Sequence, residues 1–173
     1  KEELTVYADR VIKTKIDLSE FEFITAAAFS YFADKKCDIV IAETGLGGRL
    51  DATNTLERVR AAVITKIGVD HAAILGDTAE KIAAEKCGII KNFPAVVSAN
   101  QKSEVLGIIK KYAANYTSPD ISRLKVIRCD GNGTEYIYKD KEYSLSLCGK
   151  YQIENSLTAI EAVAASGFNI PYE

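Results

Sequence analysis

Apolar and polar positions along the chain divide it into short periodic segments. Leu4, Val6, Tyr7, Val11 and Ile12 describe a short helix with one apolar side. Asp17-Leu18-Ser19-Glu20 reads as a helix start, with Ser19 as N-cap and Glu22, three residues on, completing a capping box. That second helix is expected to run to about Lys36 and, being rich in Ala and Phe, to be well buried. Asp38 to Glu43 reads as a buried strand, Ala61 to Thr65 as a second and Ala95 to Ser98 as a third. Between the last two, Asp77-Thr78 opens a helix that ends near Gly88, and Ser103 to Asn115 forms another.

Strands alternating with helices imply an α/β fold, a mainly parallel sheet flanked by helices. After Pro119 the pattern changes. Leu124 to Cys129, Glu135 to Lys139 and Tyr143 to Leu147 are short strands joined by Asp130-Gly131-Asn132-Gly133 and Asp140-Lys141, so a small antiparallel meander is expected near the C-terminal end. A last helix, Ile153 to Ser166, stops at Gly167. The expected organisation is a single partial domain over 1–173: an α/β part to 118, the small sheet over 119–150 and the terminal helix over 151–173.

Composition narrows the function. A net charge of −2 supplies no global basic field for nucleic acid, and no apolar run reaches a membrane span, so neither is an expected partner. The four cysteines, Cys37, Cys87, Cys129 and Cys148, are far apart and read as reduced thiols. With no recognisable signal peptide, a cytoplasmic location is expected. The chain starts at Lys1 and holds no methionine, which reads as a fragment.

Candidate chemistry gathers at strand ends, where open α/β sheets bind ligands. The first expected strand runs into Glu43, then Gly45, Gly47, Gly48, Arg49, Asp51 and Asn54. The glycine spacing does not fit a dinucleotide fingerprint, because Leu50 stands where the third glycine belongs. What remains is an acid at a strand end, suited to a hard cation such as Mg²⁺, or a tight loop with a capping Asp. Thr65 to His71 follows the second strand in the same way and carries the chain's one histidine, a surface residue or a ligand. Lys86 falls in the last turn of its helix, where a cation is favoured electrostatically. Gln152 and Asn155 lie three apart near a helix start and could cap it or bond a base edge.

In order and spacing these stretches resemble folylpolyglutamate synthase and the related dihydrofolate synthase, members of the Mur ligase superfamily. The run from Glu43 to Asn54 looks like the signature of that family. Ile67 to His71, Leu75 to Thr78, Glu85 to Lys91 and Phe21-Glu22-Phe23 follow suit. The resemblance implies an ATP-dependent ligase. ATP phosphorylates the terminal carboxylate of a folate or of dihydropteroate, and the amine of L-glutamate displaces phosphate to give an amide. It implies Glu43 and His71 as Mg²⁺ ligands, and Lys86 as a third through a carbamate formed with CO₂, so that Glu43, His71 and Lys86 form the catalytic group. A lysine takes up CO₂ as the neutral amine, which would require burial to lower its pKa. It further implies Asn155 and Gln152 as ATP contacts. The pterin would be lined by Ser19, Glu20, Phe21 and Glu22 and by Leu50, Asp51 and Ala52, with Phe21 able to stack on its ring.

The sequence departs from that family at three places. Tyr151 stands where a histidine is common, Lys66 where a small polar residue is usual, and Cys87 where alanine is usual. The family's phosphate loop would lie before Lys1 and its C-terminal domain after Glu173, so these residues alone are expected to be inactive and to bind ATP weakly. The full-length form is expected to be a monomer. A Mur-type ligase of cell-wall precursors and a non-catalytic nucleotide-binding domain remain the rival readings.

Overall fold

A computed structural model of the chain describes residues 2–68, 78–91 and 95–168. The chain divides into two compact units, Lys1–Glu57 and Arg58–Glu173.

The first unit is built on helices α1 (Glu2–Ile12) and α2 (Glu20–Asp34). Tyr7 and Val11 of α1 pack on Ala27 of α2, and the rings of Tyr7 and Tyr31 meet edge to face. At the rim Arg10 bonds Ser30 and Asp34. The capping box at Ser19 forms as the sequence predicts: the Glu22 amide donates to Ser19 Oγ, while the Ser19 amide and hydroxyl both donate to the Glu22 carboxylate. The hydroxyl and then the amide of Ser19 hold the Glu22 carboxyl below its usual pKa.

Two expectations fail in this unit. α2 is not well buried: Thr25 and Ala27 alone reach the interior, and Phe21 and Ile24 are exposed. A helix apolar on most sides needs more than one neighbour to cover it, and α1 covers one stripe. The segment 38–43 is not a strand. Its backbone joins no ladder among the described residues, and Ile41 is 94% exposed. An apolar run becomes a strand only when a neighbour takes up its backbone groups.

In the second unit, β1 (Ala62–Ile64) and β2 (Val96–Ser98) pair in parallel, with Ala62 opposite Val96 and Ile64 opposite Ser98. Helices α3 (Ala79–Cys87) and α4 (Ser103–Tyr112) close a core of Ile64, Ala83, Cys87, Val105 and Ile109. Burial pushes the Cys87 thiol up to about 11, which leaves it a small apolar filler. Next comes an antiparallel meander in the order β3 (Leu124–Asp130), β4 (Gly133–Tyr138), β5 (Lys141–Leu145). Helix α5 (Lys150–Ser166) packs Ile153 and Leu157 against Tyr136 and Tyr138 of β4 and also touches β2. It begins three residues before the expected Ile153 and ends at Gly167 in the left-handed region. The architecture is thus mixed α/β, a helix-flanked parallel pair beside an antiparallel sheet. None of the described helices is long and apolar enough to cross a membrane.

Candidate functional site

In the first unit the glycine-rich stretch folds around one carboxylate. Asp51 Oδ2 accepts from the amides of Gly45 (2.9 Å) and Leu46 (3.0 Å), and Oδ1 from the amide (2.9 Å) and hydroxyl (2.6 Å) of Thr53. The second pair makes Asp51 the N-cap of a 3₁₀ turn, Ala52–Thr55. Partial burial pushes the Asp51 carboxyl up, but the Thr53 hydroxyl and the amides of Leu46, Thr53 and Gly45 outweigh it, and the net pKa lies below the usual value. Asn54 Nδ2 donates to the Arg49 carbonyl across the same loop. Gly47 turns the chain at φ +70°, in the left-handed region.

The expected pterin-lining residues fall into two kinds. Asp51 spends its carboxylate on the loop, and Ser19 and Glu22 spend their side chains on the capping box. Leu50, 91% exposed, and Phe21, 42% exposed, present apolar surface, beside an exposed Glu20 and a half-buried Ala52. The Phe21 ring rests against Gly45, where a Cβ would stand 2.6 Å from its Cζ. Helix α2 and the glycine-rich loop therefore meet through that ring. Glu43 is exposed at the entry to the loop.

The second unit holds the other expected residues. Lys86 is half-buried in the last turn of α3. His71 lies outside the described residues. Gln152 and Asn155 sit in the first turns of α5, where Asn155 Nδ2 donates to Gln152 Oε1 at 3.4 Å, so the two amides do share one helical face. Gly149, the residue before α5, has φ +108°, and a Cβ there would lie 2.7 Å from the Tyr151 ring. The described residues contain no cluster of three or more His, Cys, Asp or Glu able to hold a metal ion.

Sequence reasoning missed the residues that hold 65–67, just past β1. Gln101, just past β2, donates from Nε2 to the Thr65 carbonyl (2.8 Å) and accepts the Ile67 amide on Oε1 (3.0 Å). Lys66 Nζ reaches the Asn100 carbonyl and lies 3.7 Å from Glu154 of α5. The signal was present: Asn100-Gln101 leaves β2 at the same sheet edge as the residues it holds.

Residues 7–163 match the model of the Mur ligase middle domain. The chain belongs to that family. It is 40% identical over 162 residues to the dihydrofolate synthase/folylpolyglutamate synthase of Bacillus subtilis, covering 87% of this chain and 37% of that protein. The folylpolyglutamate synthase structure from Thermotoga maritima superposes with a TM-score of 0.79 at 30% identity, over 98% of this chain and 42% of that one. An FPGS–AMPPCP–folate complex gives 0.77 at 30% identity, over 89% and 40%. The chain therefore spans about two-fifths of the length of these relatives.

Proposed function

We propose that this Mur ligase middle domain belongs to an ATP-dependent ligase that joins L-glutamate to folate, and in a bifunctional form to dihydropteroate. The observation that carries the reading is the similarity to folylpolyglutamate and dihydrofolate synthases over nearly the whole chain, at 40% identity for the Bacillus protein. The glycine-rich stretch lies within the matched residues and folds as an ordered loop on Asp51.

In this reading Asn155 and Gln152 contact ATP. Their paired amides on α5 offer both donors and an acceptor to an adenine edge. Leu50, Phe21 and Ala52 face the pterin, while Ser19, Glu22 and Asp51 hold those apolar groups in place and Glu20 lies alongside. By the resemblance Glu43 would be a Mg²⁺ ligand, and so, each on its own account, would His71 and a carbamate on Lys86. Carboxylate and carbamate oxygens are the donors a hard cation takes, and the Glu43 side chain is exposed. Bound Mg²⁺ would neutralise charge on the transferred phosphoryl group. Transfer of the γ-phosphoryl to the substrate carboxylate makes an acyl phosphate, and attack by the glutamate amine expels phosphate and loses a proton.

A substrate panel tests this with the full-length protein that carries these residues, read as ADP release with folate, dihydropteroate or a cell-wall peptide precursor. ADP release that requires a pterin substrate together with L-glutamate is expected. Release with the cell-wall precursor alone, or none with any substrate, overturns the reading.

A further inference from the structure

Lys66 lies just past β1, and the second unit gives it two partners from two different segments. Its Nζ reaches the Asn100 carbonyl beyond β2 and lies 3.7 Å from the Glu154 carboxylate on α5. Glu154 is flanked by Ile153, buried in the core against β4, and by Asn155, whose amide meets Gln152. On the other side of Lys66, Gln101 clamps both Thr65 and Ile67. Residues 65–67 are thus tied by side-chain amide bonds to the β2 exit, and Lys66 carries that frame across to the first turns of α5.

We propose that Lys66 is a positioning residue for the amide pair Gln152 and Asn155, holding the start of α5 in register with the exits of β1 and β2. This rests on the reading of that pair as nucleotide contacts. A side chain of serine size would not span the gap. A half-exposed pair of this kind is weak in isolation, so its consequence is geometric: the amides are presented in one orientation rather than several.

The test uses the isotope-labelled full-length protein that carries these residues, unaltered and as Lys66→Ser, Lys66→Arg and Glu154→Gln. Mg-AMPPCP is titrated while the side-chain amides of residues 152 and 155 are followed by NMR, and exchange of the Ile67 amide is measured in the same samples. Lys66→Ser and Glu154→Gln are expected to raise Kd about two- to fivefold, with faster Ile67 exchange in Lys66→Ser, while Lys66→Arg keeps both values. The difference should shrink at about 0.5 M KCl. An unchanged Kd in Lys66→Ser overturns the positioning role, whatever the exchange does. If nucleotide leaves the two amides of the unaltered chain unmoved, the nucleotide reading fails. Lys66 is then judged on exchange alone: faster exchange in Lys66→Ser but not in Lys66→Arg supports the tie, and equal exchange in all chains overturns it.

Discussion

The ring of Phe21 rests on the bare backbone of Gly45, so closely that a Cβ on Gly45 would stand 2.6 Å from Cζ and 2.8 Å from Cε2. The contact joins the first turn of α2 to the glycine-rich loop. A methyl group at position 45 must displace the ring, and the ring can move because Phe21 is 42% exposed.

Gly45→Ala is therefore expected to cost about 1 kcal/mol of stability, at the low end for overpacking. In a Phe21→Ala background the same change should cost close to nothing, because the obstructing ring is gone. Urea unfolding of the four chains measures the coupling. Equal costs in both backgrounds would show that the ring is not what Gly45 accommodates.

Much of this fold can be read locally. Ser19 and Glu22 predict their own capping box, and Thr78 with Gly88 brackets α3, because caps depend on residues within one turn. The meander strands come within a few residues for the same reason. The segment 38–43 shows the limit. Its apolar run describes suitability for a ladder, while the ladder depends on a neighbour that no local pattern encodes. Asp51 lies between these cases. The sequence offers a cap or a site acid, and only the loop geometry reveals four bonds that commit both its oxygens. Gln101 was illegible as a clamp because its partners lie 34 and 36 positions away.

Asp51→Ala removes the cap of the 3₁₀ turn and leaves the Gly45 and Leu46 amides without their acceptor. The expected loss is about 1–2 kcal/mol in urea unfolding. Asp51→Asn keeps one acceptor oxygen and should lose less. Because the folded-state pKa is depressed, the stabilisation is complete above the unfolded-state value. It disappears as pH falls through that value and on through the lower folded one. A pH series should show the unaltered chain losing this increment in acid while Asp51→Ala, already without it, runs flatter. Parallel acid limbs would count against the assignment.

At the opposite end of the pH scale stands the anchor of α5. Glu161 is 4% exposed, and its Oε1 accepts from the Tyr138 hydroxyl and from Lys139 Nζ, each at 2.6 Å. The same hydroxyl accepts the Asp120 amide at 3.0 Å. Tyr138→Phe strips one donor from a buried carboxylate and the acceptor from a backbone amide, for an expected loss of about 1–3 kcal/mol. Burial, and then the bond to Glu161, pushes the Tyr138 hydroxyl up to about 12. For a raised pKa the stabilisation is whole below the unfolded-state value near 10 and is lost as pH rises through the folded one. The unaltered chain should therefore lose stability across the interval from about 10 to about 12. Tyr138→Phe should lack that part of the decline, since it has no hydroxyl to ionise there. Urea midpoints taken at intervals through that range decide it, and an identical alkaline decline in both chains would place the titrating group elsewhere.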